Sequence, residues 1–319
     1  MFRKIKDIID NGERFLITTH IDPDGDAVGS VLSMYWALES INKKSVVYLK
    51  DTIPYRYKFL PAPGSITHEL PKDRYDAIFV LDCGNLFRVG DGYEKLRGLG
   101  TIINIDHHDT NEIFGKINLI DTGACSTAEV MYRLFRFLNI SLSYEMAINI
   151  YTAIFTDTGS FRYENTNSSA FLICEEMLGR GVNPSYVSQM VHENHPKERF
   201  RLFGHILTTL KTYNKDRIAI ACVTREMFKK TGTSREHSDG FVETLREMKG
   251  VEVAVLLREV DKNKYKASMR SKGKTDVAHI CNLFGGGGHK SAAGCTIDGN
   301  FEEVKGKIKE ALSIEEDKA

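Results

Sequence analysis

Five short apolar runs recur through the N-terminal part of this chain: RFLITT (14–19), SVVYLK (45–50), YDAIFVL (75–81), TIINI (101–105) and KINLI (116–120). They are rich in β-branched residues and too short to be buried helices. Helical patterns lie between them, the clearest from Ala27 to Ile41. Buried parallel strands read this way, because both faces of the sheet are covered and each strand needs a crossover before the next. The alternation therefore restricts this half to an α/β domain with a mostly parallel sheet flanked by helices. Helical stretches then follow without strands, at about 126–139, 143–156, 168–180 and 184–194, and STAE (126–129) reads as a capping box opening the first.

The segment 192–211 is polar, then helical, and is expected to act as a helical connector. Beyond it, strand signals return at RIAIACVT (217–224), VEVAVLLREV (251–260), KYKASMRS (264–271) and AAGCTI (292–297). Helical stretches separate them at about 239–248, 275–283 and 301–315. The expected organisation is two lobes: a domain over 1–191, the connector, and a smaller α/β domain over 212–319. Only the tail IEEDKA (314–319) reads as frayed.

With 319 residues, 42% of them apolar and 27% charged, the composition is that of a globular protein with a large core in each lobe. No run approaches the ~18 apolar residues of a membrane helix, and the first residues lack the apolar core of a signal peptide. A cytoplasmic protein with no membrane partner is expected. The six cysteines show no metal-binding spacing and read as scattered reduced thiols. Net charge is zero, but residues 1–210 carry 22 basic against 26 acidic side chains, and residues 211–319 carry 21 against 17. An acidic half beside a basic half suits a cation site facing an anion site, although chance alone produces a difference this small.

Polar clusters fall where the apolar runs end. His20, Asp24 and Asp26 follow the first run, Asp82 the third, and Asp106, His107 and His108 the fourth. Asp157 ends the apolar helix INIYTAIFT (148–156). Each cluster has a plain structural alternative. PDGD is a good turn, Asp26 a good helix N-cap, and adjacent histidines are often surface residues. A turn does not need His20, however, and separate accidents do not bring the clusters to one sheet edge, where ligands of open parallel sheets bind. Carboxylates and imidazoles gathered there without a cation would repel one another. Oxygen ligands with imidazole and no thiolate suit Mn²⁺ or Mg²⁺. Six side chains are too many for one ion that must also hold water and substrate. Two ions sharing a carboxylate would use them all, as in sites that activate water for attack on phosphorus.

HIDPDGDAVGS, LDCGN, DHH and DTGSF, in this order, resemble the four motifs of the DHH phosphoesterase family. GGGGHKSAAG (285–294) resembles the signature of its companion C-terminal DHH-associated domain. The likeness spans nearly the whole chain and is greatest to the oligoribonuclease and 3′-phosphoadenosine-5′-phosphate (pAp) phosphatase subgroup, the nano-RNases. It implies two divalent cations, Mn²⁺ first, with Mg²⁺ or Co²⁺ as alternatives. His20 and Asp24 would hold one ion, Asp26, His107 and Asp157 the other, and Asp82 would bridge. Asp106 would orient His107. His108 would face the substrate phosphate, and Asp22 is left as a solvated loop residue. In the second lobe the resemblance implies a substrate grip by Arg270 and Ser271, Gly286, Gly287, Gly288 and His289. Glycines bring backbone N–H groups near an anion, and a guanidinium suits a terminal phosphate.

The expected activity is hydrolysis of short RNA oligonucleotides and of pAp, with dinucleotides as further substrates and a homodimer as one possible assembly. Alternatives are hydrolysis of pApA or cyclic di-AMP, and a catalytically inactive nucleotide sensor. A RecJ-like single-strand exonuclease would need a long basic, aromatic-lined track, and zero net charge argues against long nucleic acid as a partner. The glycine signature argues against a family II-like pyrophosphatase.

Overall fold

The computed structural model describes residues 1–272 and 275–313. The expected frayed tail at 314–319 lies outside the described residues. The chain divides into two compact units, Met1–Asn194 and His195–Ala319. No helix among the described residues is long and apolar enough to cross a membrane. All six cysteines are buried and outside any disulfide.

The first unit runs α1 (Phe2–Asn11), β1 (Arg14–Thr18), α2 (Gly25–Ser40), β2 (Lys44–Tyr48), β3 (Ala77–Leu81), α3 (Leu96–Leu99), β4 (Thr101–Asp106), β5 (Ile117–Ile120), α4 (Thr127–Phe137), α5 (Tyr144–Asp157), α6 (Ser168–Gly179) and α7 (Pro184–His192). Its five strands are all parallel, in the order β2-β1-β3-β4-β5. Each expected strand is present. Side chains alternate between two cores, as the pleat requires. Phe15, Ile17, Phe79, Leu81, Ile103 and Ile105 face the helices, α2 and α5 among them. Leu16, Ile78, Val80 and Ile102 face a thinner cover that includes Tyr75, Leu86, Val89 and Leu96.

The helix α2 is buried along most of its length because α5 covers it. Two glycines permit that approach. A Cβ on Gly25 would lie 2.2 Å from Thr156 Oγ1, and one on Gly29 would lie 2.5 Å from the Asn149 carbonyl oxygen. Since α2 begins, and α5 ends, at candidate ligands, this packing sets the spacing of the site. Gly29→Val should force the helices apart and cost about 1–3 kcal/mol by overpacking. Urea melts would read that loss as a lower midpoint at unchanged slope, and wild-type stability would refute the close approach.

The second unit contains α8 (Lys197–Leu207), β6 (Lys211–Tyr213), β7 (Ile218–Val223), α9 (Arg225–Thr231), α10 (Phe241–Arg246), β8 (Val253–Asp261), β9 (Lys264–Ser271), α11 (Val277–Asn282), β10 (Gly287–His289), β11 (Ala292–Asp298) and α12 (Phe301–Ala311). Its six-stranded sheet has the order β10-β11-β9-β8-β7-β6, with only β7 and β8 parallel. Within the span read as a connector, α8 buries Leu202 and Ile206 against β7, β8 and α10. On the other face, α11 and α12 cover Ile220, Val255, Leu257 and Met269.

Candidate metal centre

In a sheet of order β2-β1-β3-β4-β5 the connections reverse direction between β1 and β3, which opens a crevice at the carboxyl ends of those strands. His20 follows β1 and Asp82 follows β3, on either side of that crevice. Asp106 ends β4 and leads into His107 and His108. Asp24 and Asp26 open α2, and Asp157 closes α5. Asp24, rather than Asp26, is the N-cap of α2; its Oδ1 accepts from the Asp26 and Ala27 amides. Asp26 lies two residues further on, inside the first turn, and its carboxylate is buried. Asp22 takes a left-handed conformation, φ 56°, and its amide donates to Asp51.

The nitrogens and oxygens converge. His107 Nε2 lies 3.6 Å from Asp157 Oδ2 and 3.8 Å from both Asp26 Oδ2 and Asp82 Oδ1. His20 Nε2 lies 3.7 Å from Asp82 Oδ2. His20, Asp24 and Asp82 form one group, and Asp26, His107 and Asp157 another, each with ligand atoms within 4.8 Å of one another. Such separations are too long for hydrogen bonds. They fit two ligands of one ion, which at ~2.1 Å bond lengths stand roughly 3–4 Å apart. The donor set, hard oxygens with imidazole, suits a divalent cation.

Backbone carbonyls set both rings. His20 Nδ1 is 2.6 Å from the Ile21 oxygen and His107 Nδ1 is 3.3 Å from the Ala124 oxygen. An N–H at Nδ1 donates to each, which leaves the Nε2 lone pair facing the carboxylates. His108 differs. Its Nδ1 is 2.7 Å from Asp106 Oδ1 and 3.7 Å from Asp82 Oδ1. The nitrogen that faces Asp82 is thus already engaged, although His108 also groups with Asp82 and His107 as a third ligand set. The resemblance paired Asp106 with His107; in the structure Asp106 Oδ1 bonds the ring of His108. Its Oδ1 also accepts from the His107 and His108 amides, and its Oδ2 from Asn111 Nδ2 at 2.6 Å.

Burial, then the charges of Asp82 and Asp157, push the Asp26 carboxyl well above its usual range. Burial likewise raises Asp157 to about 7. Burial opposes charging of His107, yet Asp157, Asp26 and Asp82 outweigh it and raise the imidazole to about 10. Burial would also raise Asp82, but His20, then the charges of His108 and His107, hold it well below the carboxylate range. Protons collect here because the cluster demands positive charge, and a cation meets the same demand.

Several supporting groups escaped the sequence reading. Thr127 donates its amide to Asp26 Oδ2 at 2.6 Å, and Ala128 donates to Asp26 Oδ1 at 3.1 Å, so the first turn of α4 holds that carboxylate. Thr127 Oγ1 donates to Asp82 Oδ1 at 2.9 Å, and Asn165 Nδ2 to Asp157 Oδ2 at 3.1 Å. STAE marked the start of α4, with Ser126 accepting from the Glu129 amide. Nothing local in that motif points to a carboxylate a hundred residues earlier. Glu129 itself accepts from the Cys125 amide.

The expected substrate residues belong to the second unit. Arg270 Nε donates to Glu243 Oε1 at 2.7 Å, which fixes the guanidinium. Ser271 is buried, and its Oγ donates to the Thr275 carbonyl at 2.8 Å. The glycine run is not a free loop, because β10 pairs antiparallel with β11. A Cβ on Gly286 would stand 2.3 Å from the Gly294 oxygen, and one on Gly288, at φ 143°, 2.5 Å from the Ala292 oxygen. These two glycines serve close strand packing. A Cβ on Gly287 would meet nothing nearer than Asn282 Oδ1 at 3.6 Å, so the space beside its Cα is open. The side chain of His289 lies outside the described part of the structure.

Residues 14–154 match the DHH family, N-terminal domain, and residues 215–314 match the DHHA1 domain. The chain is 34% identical over 302 residues to the bifunctional oligoribonuclease and PAP phosphatase NrnA of Thermus thermophilus, covering 94% of this chain and 89% of that protein. It is 24% identical to the protein of the same name from Bacillus subtilis, covering 89% and 90%. The crystal structure of an exopolyphosphatase-related protein from Bacteroides fragilis superposes with a TM-score of 0.88 at 30% identity, covering 98% of this chain and 95% of that one. Exonuclease RecJ bound to manganese shares the fold at a TM-score of 0.53 and 14% identity, covering 99% and 95%.

Proposed function

This chain belongs to the DHH family, and from that premise we propose that it is a two-metal phosphohydrolase that degrades short oligoribonucleotides to mononucleotides and converts pAp to AMP. The observation that carries this reading is Asp82, whose Oδ2 faces His20 while its Oδ1 faces His107. A carboxylate with one oxygen toward each of two ligand groups is placed to bridge. His20 and Asp24 would hold one cation and Asp26, His107 and Asp157 the other, with Mn²⁺ the favoured ion. When bound, such ions polarise phosphoryl oxygens and acidify water, which is the chemistry that hydrolysis needs.

The protein's own groups do the rest. Asp106 fixes the tautomer and direction of His108, which gives a proton to the leaving oxygen as the P–O bond breaks. Thr127 and Asn165 hold Asp82 and Asp157 in place. Arg270, steadied by Glu243, and the open space beside Gly287 grip a terminal phosphate, so that chain ends are bound in preference to long strands. The relatives named oligoribonuclease and PAP phosphatase support this substrate class. Buried, unpaired thiols suit a cytoplasmic enzyme.

The test is one assay panel with Mn²⁺, containing pAp, RNAs of two to twenty-four nucleotides, pApA, cyclic di-AMP and long single-stranded DNA. Rates should be highest for pAp and the shortest RNAs and should fall with length. Faster cleavage of the long strand, with steep salt dependence from many phosphate contacts, would move the protein to the RecJ-like reading. Turnover of cyclic di-AMP above all others would make it a dinucleotide phosphodiesterase, and binding without turnover a sensor.

A further inference from the structure

A cavity lies wholly within the C-terminal unit. It has a volume of about 320 Å³ and lies among β6, β7 and the start of α12. Three aromatic rings, Tyr213, Tyr265 and Phe301, contribute to its walls together with Ile220 and Cys222. Tyr265 and Phe301 stand with ring centroids 6.1 Å apart. At its mouth the charge is basic. Lys305 Nζ lies 5.1 Å from the Phe301 centroid, and Lys309 Nζ lies 4.9 Å from that of Tyr213. Lys211 also lines the opening, and the acid there is Glu302, 2.5 Å from Lys305. The hydrogen bond from Lys305, then the charges of Lys305, Lys211 and Lys309, lower the Glu302 carboxyl. Three ammonium groups thus gather around one carboxylate.

This cavity is not the substrate grip seen from another side. Successive residues of a strand point to opposite faces. Tyr265 packs on the face covered by α11 and α12, whereas Arg270, five residues along β9, reaches Glu243 of α10 on the other face. The glycine signature forms the β10 edge of the sheet and β6 the opposite edge, five strand spacings or roughly 24 Å away.

The geometry points to a second ligand site here, for a mononucleotide with its base among the three aromatic rings and its phosphate on Lys211, Lys305 and Lys309. A flat ring gains stacking and edge contacts in such a cavity, and a mostly apolar pocket with a few charged groups at one end is how small ligands are oriented. Lysines gathered at one end of the cavity suit a phosphate dianion. The choice of a nucleotide among flat aromatic anions rests on the reading that this enzyme releases mononucleotides. The site would then sense product.

Photo-crosslinking of the full chain with 8-azido-AMP, followed by peptide mapping, tests this. Label is expected on peptides containing Tyr213, Tyr265 or Phe301. AMP should compete for it at least about tenfold better than adenosine or inorganic phosphate alone, since each lacks half of the contacts. Tyr213→Ala combined with Lys305→Glu should remove that label while leaving hydrolysis of a small generic phosphodiester at the wild-type rate. Lys211→Glu, on an exposed edge strand, should weaken labelling at least about tenfold if the double variant fails to fold. Label confined to the first unit or to the glycine signature, or unchanged label in these variants, would overturn the proposal. A wild-type protein that labels at the cavity but hydrolyses no phosphate ester would instead refute the enzymatic reading alone.

Discussion

Asp82→Ala should lower kcat/KM for every phosphate ester at least ~10³-fold and reduce the bound metal. The size follows from its place between the two ligand groups. One oxygen lies 3.7 Å from His20 Nε2, and the other lies 3.8 Å from His107 Nε2. On the bridging reading, removing it would take a ligand from both ions at once, and it leaves Thr127 Oγ1 with the longer bond to Asp106 Oδ1. The residue also adopts φ 53°, a left-handed conformation that aspartate and asparagine tolerate better than most side chains. Asp82→Asn therefore keeps the backbone and the shape while removing the charge, and it should lose activity to a similar degree. Metal analysis of both variants, beside rates at saturating Mn²⁺, decides the matter. Near-normal turnover in either would remove Asp82 from the bridging position.

His108→Ala should behave differently. Its Nδ1 is committed to Asp106, so metal content should stay at the wild-type level while kcat falls about 10²–10⁴-fold, the range for losing a general acid. Asp106→Asn should act through the same ring. It weakens the partner that fixes the tautomer, so its loss should be smaller, and the double variant should be no worse than His108→Ala alone within ~0.5 kcal/mol. Additive losses would mean that Asp106 works through the His107 and His108 amides and not through the His108 ring. Loss of an ion from His108→Ala would mean that the roles of His107 and His108 are interchanged.

The candidate ligands stood out in the sequence because they are acids and histidines where strands or helices begin or end, and few residues satisfy both conditions. The residues that steady them are ordinary ones. Thr127, Asn111 and Asn165 matter because folding brings them to Asp82, Asp106 and Asp157. The glycine run reads differently. Its glycines suggested an anion cradle, and the structure adds a packing requirement, since β11 approaches Gly286 and Gly288 closely. A run of glycines reports that side chains are excluded without saying what excludes them.

Local pattern alone determined the five parallel strands, the helices between them, and the placing of His20, Asp82 and Asp106 to His108 at strand ends. Hydrophobic periodicity and strand length are properties of short windows, so they survive in one dimension. The tertiary structure decided what long-range contacts govern. The order β2-β1-β3-β4-β5 put the crevice between His20 and Asp82. The approach of α2 to α5 through Gly25 and Gly29 brought Asp157 toward Asp26. Asp24 became the helix cap, which released Asp26 to turn inward onto the amides of α4. Asp106 met the ring of His108, while the ring of His107 stands beside the Ala124 carbonyl. Each of these outcomes depends on which groups meet across the fold, and a residue's identity and neighbours in sequence do not carry that information.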